Sequence, residues 1–244
     1  MIENKVAVIS GASRGLGRAM ALALSKTGVR AALVGRQKET LAAVASEVPG
    51  SQPFVADVSR EADVLRLAGE VEQAMGKASI LINNAGVALR RNVTDTSLED
   101  WNTVQAANLT SAFLMSRSFI PHMQALGWGR VIHIASIMSH VSLPQRAGYS
   151  SSKSAMLGLT RVTALEHAKD NITVNAICPG WFETEMTAGL QANPEMNSQI
   201  MAKVPMGRWG KSDEIGALAV YLCSEAAGFI TGTDIVIDGG WCAQ

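Results

Sequence analysis

The sequence predicts an α/β fold: a doubly wound parallel sheet of seven strands with helices on both faces. Three observations lead there. Short apolar runs alternate with helical patterns along the whole chain. The first run, Val6-Ala7-Val8-Ile9, is apolar throughout, as in a strand covered on both faces. A glycine-rich turn separates it from the first helical pattern, the entry to a strand–turn–helix unit.

The elements follow in order. Residues 5–10 give the first strand, and Ala19, Met20, Ala21, Leu22, Ala23 and Leu24 mark a buried helix over 15–27. Strands are then expected near 30–35, 53–56, 79–83, 130–135, 172–178 and 234–237. Helices are expected over 38–48, 60–75, 97–124, 149–169 and 212–223, and Thr96-x-x-Glu99 reads as a capping box for the 97–124 helix. Residues 181–211, rich in Met, Pro and Gly, are the longest stretch between strong elements. An insertion near the strands' carboxyl ends lies where ligands bind, so it reads as a substrate lid. No linker, repeat or low-complexity stretch divides the chain, and residues 1–244 read as one domain.

Composition narrows the function classes. Apolar residues make up 48% of the chain, enough for a large core, and the formal net charge is zero. There is no basic stripe for nucleic acid and no apolar run of membrane-spanning length. One acid and one lysine precede the first strand, unlike a signal peptide. Cys178, Cys223 and Cys242 are odd in number and widely spaced, which suggests neither a disulfide framework nor a zinc site. No histidine pair has metal-ligand spacing. The expectation is a cytoplasmic protein without a metal.

Two constellations carry chemistry. Tyr149 and Lys153 stand at i, i+4 on one helix face, and Ser136 lies thirteen residues before the tyrosine. A free phenol has a pKa near 10, and a neighbouring ammonium favours the phenolate and lowers that value. The product is an acid/base for proton transfer to a carbonyl or alcohol oxygen, which the serine hydroxyl would orient. Such a pair is short enough to arise by chance. Its company is the turn Gly11-Ala12-Ser13-Arg14-Gly15-Leu16-Gly17. Glycines there let the main chain approach a pyrophosphate, and the helix N-terminus offers free N–H groups to its charge.

With Asn83-Asn84-Ala85-Gly86 and Pro179-Gly180, these motifs resemble the short-chain dehydrogenase/reductase family from about residue 4 to 241. The resemblance implies a Rossmann-like sheet and a dinucleotide. Gly11, Ser13, Arg14, Gly15, Leu16 and Gly17 would hold its phosphates, and Asp57 and Val58 its adenine. Asn84, Ala85 and Gly86 would lie along it, and Pro179, Gly180, Phe182 and Thr184 would meet the nicotinamide end. Tyr149 would transfer the proton and Ser136 would bind the substrate oxygen. Lys153 would tune Tyr149 and hold the nicotinamide ribose, and Asn108 would hold a water linking Lys153 to solvent. Relatives usually assemble as homotetramers. Gly35 stands where NAD-preferring relatives carry Asp, and Arg36 follows it. Arg14 and Arg36 together fit a 2′-phosphate, so the cofactor expected is NADP(H).

The substrate pocket is expected from 87–91, 137–146 and 181–206. The last range includes Trp181, Phe182, Met186, Met196, Met201 and Met206, which suggests an adaptable apolar ketone pocket. Arg90, Arg91 and Arg146 are polar counter-signals suited to a carboxylate or to sugar hydroxyls, and His140 is a further candidate lining residue. Two enzyme readings compete. A beta-ketoacyl-carrier-protein reductase is suggested by Ser13-Arg14-Gly15 and by the segment from Ile230 to Gly240. Residues 123–129 lack Lys and Arg, however, and Asp170 stands where a basic residue often does, which disfavours an acidic carrier-protein partner. The favoured reading is a small-molecule ketone reductase or alcohol, polyol or sugar-acid dehydrogenase. A non-catalytic NADP(H)-sensing or scaffold protein predicts a damaged tetrad, whereas Asn108, Ser136, Tyr149 and Lys153 are all present.

Overall fold

The computed structural model describes residues 2–185 and 187–244. Apolar runs rich in Val, Ile and Ala form the strands: β1 (Val6–Ser10), β2 (Arg30–Gly35), β3 (Gln52–Val55), β4 (Ile80–Asn83), β5 (Gly129–Ile134), β6 (Ile172–Pro179) and β7 (Asp234–Ile237). Residues in β1, β4, β5 and β6 are buried throughout, because helices cover both faces. All seven strands join one sheet in the order β3-β2-β1-β4-β5-β6-β7, and every pairing is parallel. The order reverses between β1 and β4, which opens a crevice at their carboxyl ends.

The helices are α1 (Gly15–Ser25), α2 (Lys38–Glu47), α3 (Glu61–Met75), α4 (Leu98–Gln105), α5 (Ser111–Leu126), α6 (Ala147–His167), α7 (Ala188–Gln191), α8 (Pro194–Met201) and α9 (Ser212–Cys223). Met20 and Leu24 of α1, Leu41 of α2, and Ile215 and Leu222 of α9 pack on one side of the sheet. Leu67 and Val71 of α3 and Met115 and Phe119 of α5 fill the other. Met156 and Leu157 seat α6 on Ala176 and Cys178 of β6. Phe54, Leu67, Met115 and Phe119 are each at most 8% exposed, so cutting any one to Ala would cost about 2–5 kcal/mol.

The structure corrects three local expectations. The helix expected over 97–124 is broken: a π turn over Ala106–Thr110 separates α4 from α5. Its cap is Ser97, not Thr96. Ser97 directly precedes the first helical residue, so its Oγ reaches the third N–H and accepts from Asp100 N at 3.0 Å. Thr96 Oγ1 instead donates to Asn92 O at 2.8 Å. Helix α6 starts at Ala147, two residues earlier than expected.

The segment 181–211 is partly ordered by its own signals. Asn193 caps α8, its Oδ1 accepting from Met196 N at 3.1 Å, with Pro194 beginning the helix. Leu190, Ile200, Val204 and Trp209 form a small separate core with Trp181, Met201 and Trp241. Met186 lies outside the described residues.

Candidate active site

A cleft of about 740 Å³ opens at the carboxyl ends of the strands. One end is built by the turn after β1. Gly11 has φ +64, a conformation that favours glycine, and an added Cβ would lie 2.8 Å from Asn84 Nδ2. Asn84 Nδ2 also donates to the carbonyls of Ser10 and Gly11, both at 3.0 Å, pegging the end of β4 to this turn. Arg14, before α1, has extended backbone, makes no side-chain cap, and no acid occupies the first turn of the helix. The first N–H groups of α1 are therefore free for an anion.

Ser13, Arg14, Gly15, Leu16, Arg36, Asp57, Val58, Asn84, Ala85, Gly86, Pro179, Gly180, Phe182 and Thr184 all line the cleft, as does Gly11. Gly17 does not. It is buried beneath the turn, and a Cβ there would sit 2.3 Å from Gly11 O and 2.6 Å from Asn84 Nδ2. Its lack of a side chain serves close packing, not ligand contact. Arg14 and Arg36 are exposed and form no ion pair among the described residues. Burial alone would raise the pKa of Asp57, but hydrogen bonds from Ser59 and the charges of Arg36 and Arg60 hold it below the usual value. A free helix N-terminus, a glycine floor and two unpaired arginines fit a phosphorylated dinucleotide.

Ser136, Tyr149 and Lys153 line the middle of the same cleft. Ser136 lies two residues past the end of β5, and its Oγ accepts from Met138 N at 3.1 Å. Tyr149 is in the first turn of α6, with Lys153 one turn on. Lys153 Nζ donates to Ile134 O at 2.6 Å and lies 5.8 Å from the centroid of the Tyr149 ring. The expectation that Lys153 lowers the phenol pKa is therefore not met. Burial raises the pKa of Tyr149, while the nearby Ser136 hydroxyl and the charge of Arg146 pull the other way. Burial brings Lys153 itself down to about 8.

Asn108 does not reach the cleft wall. It is fully buried in the π turn. Its Oδ1 accepts from Val87 N at 2.7 Å, and its Nδ2 donates to Val87 O and Ser152 Oγ, both at 3.0 Å. It fixes the loop after β4 against α6, within reach of Gly86 and Lys153.

The substrate end draws on all three expected ranges, 87–91, 137–146 and 181–206, but differs in detail. Val87, Ala88, Arg90, Met138, Arg146, Trp181 and Leu190 line it, together with Thr103, Ala106 and Ala107, which no motif signalled. The expected methionine wall is absent among the described residues: Met201 packs into the small core of 181–211, and Met196 and Met206 are exposed. Arg91 faces away and pairs with Asp100 at 2.9 Å. His140 is also outside the cleft. Its Nε2 meets Asp234 Oδ2 at 2.7 Å, and Cys178 Sγ lies 3.9 Å from the same carboxylate. These three side chains bring donor atoms within 4.8 Å of one another, a grouping that linear spacing did not reveal.

Residues 11–242 match a family model described as "Enoyl-(Acyl carrier protein) reductase". The 2-dehydro-3-deoxy-D-gluconate 5-dehydrogenase of Dickeya dadantii is 36% identical over 249 residues, covering 100% of this chain and 97% of that protein. The D-beta-hydroxybutyrate dehydrogenase of Rhizobium meliloti is 34% identical, covering 99% of this chain and 100% of that protein. The structure of a gluconate 5-dehydrogenase from Burkholderia cenocepacia, in complex with NADP and tartrate, superposes with a TM-score of 0.95 at 30% identity, covering 99% of this chain and 96% of that chain. Likeness of this extent in sequence and backbone means that the chain belongs to the short-chain dehydrogenase/reductase family.

Proposed function

We propose that this protein is an NADP(H)-dependent oxidoreductase that interconverts a ketone and a secondary alcohol on a small molecule. The observation that carries this reading is the convergence of Ser136, Tyr149 and Lys153 in one cleft with the uncapped start of α1 and unpaired Arg14 and Arg36. When bound, NADPH supplies the hydride that reaches the carbonyl carbon. Tyr149 gives its proton to the carbonyl oxygen as negative charge builds there. Ser136 donates a hydrogen bond to that oxygen, and Lys153 holds the nicotinamide ribose. Asn108 positions Val87 and Ser152 and supports a water through which Lys153 exchanges protons with solvent. General acid catalysis of this kind contributes about 10²–10⁴-fold.

Arg14 and Arg36 hold the 2′-phosphate in this reading, and Gly35 leaves no carboxylate to repel it. The segment 181–211 acts as a lid over the substrate end, to which it contributes Trp181 and Leu190. Exposed Phe113 on α5 and Val162 and Leu165 on α6, with Tyr221 on α9 and Val236 on β7, support a homotetramer. The proposed location is the cytoplasm. Three free cysteines suit a reducing compartment, and among the described residues no helix is long and apolar enough to cross a membrane.

The carrier-protein reading is weaker. Asp170 accepts from Gln124 at 2.8 Å, so an acid marks the surface where an acidic carrier would need a base. The non-catalytic reading has no support from a damaged site. The experiment is a screen of NADPH oxidation across ketones, keto sugar acids and acetoacetyl thioesters. Turnover of small ketones supports the proposal, a strong preference for thioesters replaces it with the carrier-protein reading, and equal or better kcat/KM with NADH overturns the cofactor assignment.

A further inference from the structure

Among the described residues, two arginines at the substrate end of the cleft have no ion-pair partner. A β-bridge between Arg91 and Arg146 lays the loop after β4 against the start of α6. It brings Arg90 and Arg146 to one stretch of cleft wall, while Arg91 turns out to Asp100. Among the described residues neither Arg90 nor Arg146 has a carboxylate within ion-pair distance. The acids lining the cleft sit at its other end: Asp57 follows β3, and Glu185 lies beside Gly15 and Thr184. Arg146 is partly buried, so its charge has lost solvent without gaining an anion. Burial, and to a lesser extent the neighbouring charge of Arg90, lower its pKa.

We infer that Arg90 and Arg146 form an anion subsite that holds the carboxylate of a keto acid or hydroxy acid substrate. This rests on the ketone–alcohol reading above. Planar guanidinium groups match a carboxylate with paired, charge-assisted hydrogen bonds. Arg146 precedes Tyr149 by three residues at the start of α6, so an acid held there presents a nearby oxo carbon to the phenol and Ser136.

The test compares keto acids with their methyl esters and with phosphate-bearing ketones of similar size, using the intact protein and NADPH. A kcat/KM ratio of acid to ester of about 100 or more is expected, because the ester leaves two guanidinium groups unanswered. Arg90→Gln and Arg146→Gln should each collapse that ratio by at least about tenfold, with Arg146→Lys restoring part of it. NADPH binding, followed by fluorescence, reports that each variant is folded. Carboxylate binding is read separately, by calorimetric titration of the NADP-loaded protein with tartrate. Arg-dependent tartrate binding without any ketone turnover supports the subsite and sinks the redox reading. Turnover of neutral ketones with an acid-to-ester ratio near one, or a preference for the phosphate-bearing ketone, overturns the subsite and leaves the redox reading standing. Loss of acid and ester activity in equal measure in the arginine variants also overturns it.

Discussion

Lys153 Nζ donates to the carbonyl of Ile134 at 2.6 Å, which holds the ammonium against the end of β5, 5.8 Å from the centroid of the Tyr149 ring. Lys153 is 4% exposed, and burial lowers its pKa from 10.5 to about 8. The sign of the linkage follows. Between about pH 8 and 10.5 the unfolded chain binds a proton that the folded chain has released, so stability from this group rises with pH. Below pH 8 both states are charged and the contribution is level. Thermal unfolding of wild type and Lys153→Met should therefore diverge in favour of wild type from pH 8 to 10. The raised pKa of Tyr149 acts with opposite sign, but only above pH 10. A Tm difference that stays flat over the window would count against a buried, readily deprotonated Lys153.

Tyr149→Phe removes the phenol oxygen and keeps the ring that packs in the cleft. Turnover should fall by about 10²–10⁴-fold, the usual worth of general acid catalysis. The dissociation constant for NADPH should change little, since the proposed phosphate contacts lie at the other end of the cleft. Steady-state rates and a fluorescence titration check the two halves. Activity within a few-fold of wild type would remove Tyr149 from the chemistry.

Gly35 gives a handle on cofactor choice. It ends β2 beside Arg36, and a Cβ there would meet Leu41 Cδ2 at 3.3 Å, the tip of a flexible side chain. Gly35→Asp should therefore fold, and it places a carboxylate where the 2′-phosphate is proposed to lie. The kcat/KM for NADPH should drop at least about tenfold, and the NADH value should hold or rise, because like charges repel and the ribose hydroxyls gain an acceptor. Parallel losses with both cofactors would mean that Gly35 matters for packing alone.

The sheet and the Tyr149–Lys153 pair were legible because their signals are local. Apolar runs mark strands one at a time, and Tyr149 and Lys153 are linked by helix spacing alone. Asn108 shows where that legibility ends. Its residue type was readable, but its work is to clamp Val87, 21 positions earlier, and that contact depends on a π turn within what reads as one helix. Ala106 and Ala107 enter the cleft through the same turn, Thr103 from the end of α4 before it, and none carries a motif. His140 meets Asp234 from 94 positions away, so only the folded sheet brings them together. The methionines of 181–211 could equally seat that segment or line a pocket. Trp181 stacks edge-on against Trp209 and Trp241 at 6.0 and 5.6 Å, which builds a local core that claims Met201.

Two glycines test the packing argument with opposite signs. Gly17 lies under the turn, where a Cβ would be 2.3 Å from Gly11 O, so Gly17→Ala must push the turn off the end of β4. A cost of about 3 kcal/mol is expected in chemical denaturation, with weakened NADPH binding as the loop shifts. Gly69 is exposed on α3, and a Cβ there would meet nothing within 4 Å. Gly69→Ala should stabilise the protein by about 1 kcal/mol through helix propensity alone, with no change in NADPH binding. Similar effects from the two substitutions would mean that contact with the turn does not set the cost at Gly17. A normal affinity in a destabilised Gly17→Ala would separate the fold's need for that glycine from the ligand's.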